Sequence, residues 1–177
     1  MTIRAGNSAD ADAIAQVHYA AWNESYRGLL TDELIDARTL ETRRRQWHDL
    51  LDRDDRITAV ANAEGGVVGF ASALVLAPPV DGFDAYLQTL YLLSAAKRQG
   101  VGTALLRAVA VLLLQRNCTN LALRVVRENL PARRFYEHLG AQLVPQGISL
   151  DGGLFDDVVY AFNDLGALEL RFGAPAQ

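Results

Sequence analysis

Cysteine is almost missing from this chain: Cys118 is the only one in 177 residues. That scarcity excludes an internal disulfide and a cysteine-based zinc site. Histidine is nearly as rare, with His18, His48 and His138 scattered along the sequence, and no metal centre is expected. No apolar run reaches the roughly 20 residues of a membrane-spanning helix, and Met1-Thr2-Ile3-Arg4-Ala5 carries no signal-peptide pattern. A soluble, unexported, cytoplasmic protein with no membrane partner is therefore expected. Positive charge is not in excess either. The 17 Lys and Arg stand against 21 Asp and Glu, a net charge of −4, which argues against general nucleic-acid binding while leaving room for a local basic patch. Repeats and low-complexity linkers are missing too, and at 50% hydrophobic residues the chain suits one domain with a real core.

What is present is organised around Ala95-Ala96-Lys97-Arg98-Gln99-Gly100-Val101-Gly102-Thr103-Ala104-Leu105-Leu106. Tyr86 to Leu93, rich in aromatic and aliphatic residues, reads as a strand before it. Val101 to Gln115, apolar nearly all round, reads as a buried helix after it. Strand, glycine loop and helix together make an anion site. Glycine lets the backbone approach closely, and the N–H groups of the helix's first turn point outward with the positive end of the dipole behind them. Lys97 and Arg98 add charge at the mouth, so the expected ligand is a phosphate or pyrophosphate. A P-loop would need Lys after the second glycine, where Thr103 stands. The dinucleotide fingerprint would need a third glycine at Leu105.

The remaining elements follow in order. Thr2 to Ala5 suits a short strand, and Ser8 is the candidate N-cap of a helix whose Ile14, Val17, Ala21 and Trp22 share one face. Tyr26 to Leu30 breaks that helix and Thr31 to Leu34 restarts one. Leu40 to Leu51 is a third, polar helix whose Arg43-Arg44-Arg45 run reads as a solvated face. Ile57 to Ala63 and Val67 to Leu76 form a hairpin around Glu64-Gly65-Gly66, ended by Pro78-Pro79. Past the central helix, Asn120 to Val126 should be a strand parallel to 86–93, joined by a βαβ crossover. Asn129 to Leu139 is a helix closed by Gly140 at C′. Gln142 to Pro145 and Phe155 to Asn163 read as closing strands, with a loop through Gly147, Gly152 and Gly153. The tail from Ala167 to Phe172 alternates like an edge strand, which a second copy of the chain would extend into a homodimer; a helical or frayed tail fits equally. The sum is a mixed-sheet α/β (α+β) domain of roughly six to seven strands and about four to five helices, with its ligand beyond the C-terminal end of the central strand.

Two motifs carry a resemblance. Lys97-Arg98-Gln99-Gly100-Val101-Gly102 resembles the pyrophosphate loop of the GNAT N-acetyltransferases, Gln/Arg-x-x-Gly-x-Gly/Ala. Lys in the first position keeps the charge and loses the planar fork. Asn129-Leu130-Pro131-Ala132-Arg133-Arg134-Phe135-Tyr136-Glu137-His138-Leu139-Gly140-Ala141 looks like the family's second signature, Asn-x-x-Ala-x-x-Phe-Tyr-x-x-x-Gly-Phe, with Ala141 replacing the final Phe. Both in the correct order are far more specific than either alone. The likeness covers nearly the whole chain, as the Ile3-Arg4 strand, the Trp22 to Leu30 segment and Tyr160-Ala161-Phe162 look like a small bacterial branch. It implies a single GNAT acyl-CoA N-acyltransferase domain over 1–177. Residues 1–56 would lie on the acceptor side, 57–93 form a meander, 94–140 bind the cofactor, and 141–177 close the sheet.

The resemblance further implies acetyl-CoA as cofactor and acetyl transfer to a primary amine of a small molecule or peptide, by direct attack in a ternary complex. The amides of Gln99, Gly100, Val101, Gly102 and Thr103 would hold the pyrophosphate, with Lys97 and Arg98 on its oxygens. Backbone groups of Leu90, Tyr91 and Leu92 would pair with the pantetheine, Leu92 also supplying the oxyanion donor. Tyr136 would be the general acid to the CoA thiolate. Asn129 would bind the pantetheine or hold splayed strands, Ala132 completes the motif, and Arg133 would reach the phosphates. An alkyl amine of pKa near ~10 is about 99.9% protonated at neutral pH, so it must lose a proton first. Asp84, just before the central strand, and Glu24 are the candidate bases, with a water chain as the alternative and an ordinary surface charge the commoner role for each acid. Trp22 and Tyr26 form a candidate aromatic wall for a cationic amine, although Trp22 suits the core better, and Gln88 adds a polar acceptor-side group. The rival readings are an acyl-CoA-binding sensor without turnover and a nucleotide-binding module.

Overall fold

A computed structural model of the chain describes residues 1–145 and 156–171. The elements in order are β1 (Thr2–Ala5), α1 (Ala11–Tyr26), α2 (Asp32–Asp36), α3 (Leu40–Leu51), β2 (Arg56–Ala63), β3 (Gly66–Val80), β4 (Phe83–Leu92), α4 (Val101–Leu114), β5 (Leu121–Val126), α5 (Leu130–His138), β6 (Gln142–Leu143), β7 (Asp157–Phe162) and α6 (Leu165–Arg171). Short 3-10 turns occupy Ser8–Asp10 and Ser94–Ala96. The strands form one seven-stranded sheet in the order β1-β2-β3-β4-β5-β7-β6. It is mixed, as expected: β4 runs parallel to β5, with Tyr86 opposite Ala122 and Leu87 opposite Leu123, while β1 and β2, β5 and β7, and β6 and β7 pair antiparallel. The chain divides into two compact units, one from Met1–Ser72 and Thr89–Val109, the other from Ala73–Gln88 and the chain from Ala110 onward.

In the first unit, α1 presents Ala11, Ile14, Ala15 and Val17 to a core that includes Trp47 of α3, Val60 of β2 and Phe70 of β3. Alanines at 11 and 15 let neighbouring elements approach, while each large side chain taken fully from water contributes about 1.5–3 kcal/mol. Trp22 continues this stripe and is only 6% exposed, as its place on the apolar face implied. The helix start differs from the Ser8 expectation. Asn7, with extended backbone, accepts from the Ala9 N–H, and Asp10 reaches back to the Asn7 N–H in a reciprocal capping box. Arg4 grips the same Asp10 through two bonds of 2.6 and 2.7 Å.

Pro78-Pro79 does not end β3, which continues to Val80. β2 has eight residues and β3 fifteen, so the far end of β3 outruns its hairpin partner, and Ala77, Pro78 and Pro79 lie exposed there. A proline costs little where one side of the ladder has no partner.

In the second unit β5 pairs with β7 along its whole length, Leu121 opposite Phe162 through Val126 opposite Asp157. Beside this ladder Ala122 and Val159 pack with Phe83, Tyr86 and Val144. The first closing strand is shorter than expected, ending at Leu143, and Gly147, Gly152, Gly153 and Phe155 lie outside the described residues. α5 is capped by Asn129, whose Oδ1 accepts from the Ala132 N–H, and ends at Gly140, φ +96°. The tail is helical through Arg171 rather than extended. Asp164 Oδ1 accepts from the Ala167 N–H, and the i, i+3 pair Leu165 and Leu168 is buried. The sixth helix thus replaces the proposed edge strand, and with it goes the strand-pairing argument for a homodimer.

Candidate active site

Within the first unit, β4 leads through the Ser94–Ala96 turn into Lys97, Arg98, Gln99 and Gly100, and α4 begins at Val101. Two left-handed residues make that reversal: Arg98 at φ +60° and Gly100 at φ +77°. The Gly100 carbonyl accepts the first helical bond, from the Ala104 N–H at 3.0 Å. The amides of Val101, Gly102 and Thr103 therefore belong to the first turn, where N–H groups have no acceptor within the helix. Gln99 folds back onto the Ala95 carbonyl at 2.6 Å and tightens the loop. Val101, Leu105 and Leu106 anchor the helix in the core, each no more than 1% exposed.

Glu24, on α1, touches the start of this loop. Its carboxylate accepts a short hydrogen bond from the Ser94 hydroxyl and pairs with Lys97 Nζ at 3.2 Å. Glu24 thus ties α1 to the loop that leads into α4.

At the end of β4, Leu90, Tyr91 and Leu92 are half-buried. Gly69 of β3 lies beneath them. A Cβ placed there would meet Leu92 Cδ2 at 2.3 Å and the Tyr91 carbonyl at 3.1 Å. The Tyr91 ring stacks on His18 at 4.8 Å, and His18 Nδ1 accepts from the Trp47 indole N–H at 3.0 Å. Burial, with Arg43 and Arg38 nearby, holds the His18 imidazole well below its ordinary pKa, so it is neutral near pH 7. Sequence reasoning passed over His18. The available signal was its position four residues after Ile14 on the apolar face of α1.

The arginine run corrects the reading of a uniformly solvated face. Arg44 is half-buried and Arg45 exposed, and they face Asp12 and Glu41 at 3.6 and 3.8 Å. Arg43 is 9% exposed. It lies one turn from the buried Trp47 and shares its face, and burial lowers its pKa to about 10. The guanidinium carbons of Arg38 and Arg43 lie over the Trp22 ring at 4.8 and 5.4 Å, and Tyr26 tilts against the same ring at 4.4 Å. The cations that meet Trp22 are therefore the protein's own.

In the second unit, Asp84 lies within β4 rather than before it. Its carboxylate accepts from the Thr119 N–H at 2.7 Å and the Thr119 hydroxyl at 2.8 Å. These two bonds hold its pKa below the usual carboxylate range and commit the group to bracing the Thr119 segment. Gln88 is exposed. Tyr136 of α5 is buried with its ring against Phe135. Arg133 lies along α5, donating to the Tyr160 hydroxyl and to the Arg127 carbonyl, each at 3.1 Å, while the Tyr160 hydroxyl donates to Glu137. Arg133 is thus engaged by its own unit, a partner set that the spacing of the motif did not reveal. Among the described residues no helix is long and apolar enough to cross a membrane, and no cluster of three or more His, Cys, Asp or Glu is placed to hold a metal ion.

Residues 14–141, which contain the glycine loop and the Asn129–Ala141 motif, match the acetyltransferase (GNAT) family. The chain belongs to the GNAT acetyltransferases. A relative from Bacillus subtilis (strain 168), the uncharacterized N-acetyltransferase YuaI, is 29% identical over 171 residues, 96% of either chain. The thialysine N-epsilon-acetyltransferase of Mus musculus is 31% identical over 87 residues, about half of each chain (49% and 51%). Among solved structures, the PaiA N-acetyltransferase of Thermoplasma acidophilum, in complex with coenzyme A, superposes with a TM-score of 0.75 at 21% identity, covering 91% of this chain and 98% of that one. The seven-stranded mixed sheet with its six helices is accordingly the GNAT fold.

Proposed function

We propose that this GNAT enzyme transfers the acetyl group of acetyl-CoA to a primary amine on a small molecule or peptide. The observation that carries the reading is the left-handed turn at Arg98 and Gly100, which delivers the first-turn amides of α4 at the end of β4. Such a cradle of N–H groups fits a pyrophosphate. The coenzyme A complex of the PaiA structure and the amine substrate in the thialysine relative's name support the same assignment.

Bound acetyl-CoA supplies a thioester whose carbonyl carbon an amine attacks. The amides of Gln99 to Thr103 bind the pyrophosphate, and Lys97 and Arg98 neutralise its charge. The backbone of Leu90 to Leu92 aligns the pantetheine as an added strand, and the Leu92 N–H donates to the developing oxyanion. Tyr136 gives its phenolic proton to the departing sulfur. Asn129 caps α5, and with Ala132 fixes the helix that carries Tyr136. The amine's proton goes to water, because Asp84 is held low in pKa by Thr119 and Glu24 is engaged by Ser94 and Lys97. Glu24 is a positioning residue for the loop.

The test is a calorimetric titration of acetyl-CoA into the wild type and Gly102→Glu, followed by CoA-release assays across an amine panel. Micromolar binding, lost in Gly102→Glu, together with turnover of at least one amine is the expected result. Binding without turnover of any amine would make the protein a sensor. No binding to the wild type would remove the cofactor assignment.

A further inference from the structure

We propose that the guanidiniums of Arg38 and Arg43, gathered over Trp22, bind a carboxylate or phosphate carried by the acceptor, so that the substrate is an amine that also bears an acidic group. This inference rests on the acetyl-transfer reading.

Arg43 is nine-tenths buried. Its Nη1 donates to Gln46 Oε1 at 2.9 Å, while its Nε has no hydrogen-bond partner among the described residues. Among the described residues no carboxylate pairs with it, and the neighbouring Arg38 adds a repulsive charge. Nearby acids are engaged elsewhere: Asp12 faces Arg44 and His48, and Glu41 faces Arg45. A buried cation without a carboxylate is costly, and a second cation beside it makes the cost larger. The Trp22 face offsets part of that through cation–π attraction, and neutral His18 adds no charge of either sign. Two planar guanidiniums beside one ring are suited to gripping a planar oxyanion through paired, charge-assisted bonds.

Tyr91 fixes which ligand that anion belongs to. It lies near Arg43 and stacks on His18, and it is one of the three β4 residues assigned to the thioester end of the cofactor. The arginine pair therefore neighbours the acyl-transfer end, whereas the cofactor's phosphates are assigned to the loop at Lys97 to Thr103. The Trp22 ring is already faced by two guanidiniums, so it is not spare for the acceptor's ammonium, and the aromatic-wall reading changes sign. Acetylation of such an acceptor removes the charge of the amine that is acetylated and leaves its acidic group in place.

Matched amines test this: lysine against cadaverine for a carboxylate, and phosphoethanolamine against ethanolamine for a phosphate, each with saturating acetyl-CoA. One acidic member should exceed its partner without the acidic group in kcat/KM by roughly tenfold to hundredfold, and that ratio should fall toward one in Arg38→Gln and in Arg43→Gln. Which pair shows the preference identifies the anion. Arg38 is half-buried, so Arg38→Gln provides the readout should Arg43→Gln fail to fold. Equal use of both members of each pair, or a preference that survives in Arg38→Gln, overturns the proposal. Should no amine be acetylated, calorimetric titration of glutarate and inorganic phosphate decides it separately. Binding that weakens in Arg38→Gln upholds the anion site while the acetyl-transfer reading fails. Wild-type protein that binds neither anion overturns the site itself.

Discussion

Gly69 offers a direct test of how the β4 end is built. Its φ is not in the left-handed region, so an alanine meets no backbone penalty, and the whole cost is steric. The new Cβ would sit 2.3 Å from Leu92 Cδ2, 3.1 Å from the Tyr91 carbonyl and 3.3 Å from Leu105 Cδ1. Leu92 can swing its methyl aside. The Tyr91 carbonyl is backbone and must give by a few tenths of an ångström. Overpacking of this kind costs about 1–3 kcal/mol, and replacing glycine returns about 0.4–1 kcal/mol through the unfolded chain. The net is a loss of about 1–2 kcal/mol, or roughly 2–8 °C in Tm for a chain of this size. Because the displaced groups are Tyr91 and Leu92, acetyl-CoA affinity should fall as well, by about tenfold. Gly100→Ala is the contrasting variant. Nothing lies within 4 Å of its Cβ, yet its φ of +77° is left-handed, so about 1–2 kcal/mol is lost to backbone strain alone. Asparagine, which tolerates that conformation, should recover part of the loss at 100 and none at 69. Thermal melts and acetyl-CoA titrations of Gly69→Ala, Gly69→Asn, Gly100→Ala and Gly100→Asn read all of this. A Gly69→Ala protein as stable as wild type with unchanged cofactor affinity would refute the packing described for β3, β4 and α4.

Two further predictions concern single groups. Tyr136→Phe keeps the buried ring against Phe135 and removes only the hydroxyl, so kcat should fall by roughly 100-fold; wild-type kcat in the variant would reduce Tyr136 to a packing role. Asp10→Asn should destabilise the protein by about 1–3 kcal/mol at pH 7, because Arg4 and the Asn7 N–H both bond the carboxylate. These partners, Arg4 foremost, hold the Asp10 pKa below its ordinary value. Its contribution is therefore complete above the unfolded value of about 3.9 and is lost as pH falls through the lower folded value. Urea melts of both proteins should converge as pH drops below about 4, and a gap that stays constant at acid pH would remove the ion pair as its cause.

Local patterns settled much of this protein in advance. The 3.6-residue spacing of Ile14, Val17, Ala21 and Trp22 determined the buried face of α1, and Gly100 and Gly140 marked a helix start and a helix end through the left-handed conformation each needs. The glycine loop and the Asn129–Ala141 motif identified the family because both depend on residues contiguous in the chain. Where a boundary depended on a neighbouring strand, the sequence was not enough. Pro78 and Pro79 continue β3 because β2 is too short to reach them, and nothing local to the prolines records the length of β2.

Partnerships across long separations were decided only by tertiary structure. Glu24 finds Ser94 and Lys97 some seventy positions away, and Asp84 finds Thr119, pairings that no local pattern in the sequence records. Arg43 illustrates the same limit within one helix. Three consecutive arginines look alike in sequence, but one turn of helix sends Arg43 inward beside Trp47, leaves Arg44 half-buried against Asp12 and turns Arg45 out to water. The sequence determined the glycine turn into α4 and its first-turn amides because a helix start and its glycines are built from adjacent residues. The environment of each charge, and hence the acceptor chemistry inferred from it, was set by tertiary packing, because burial and electrostatic partners belong to the folded neighbourhood rather than to the residue.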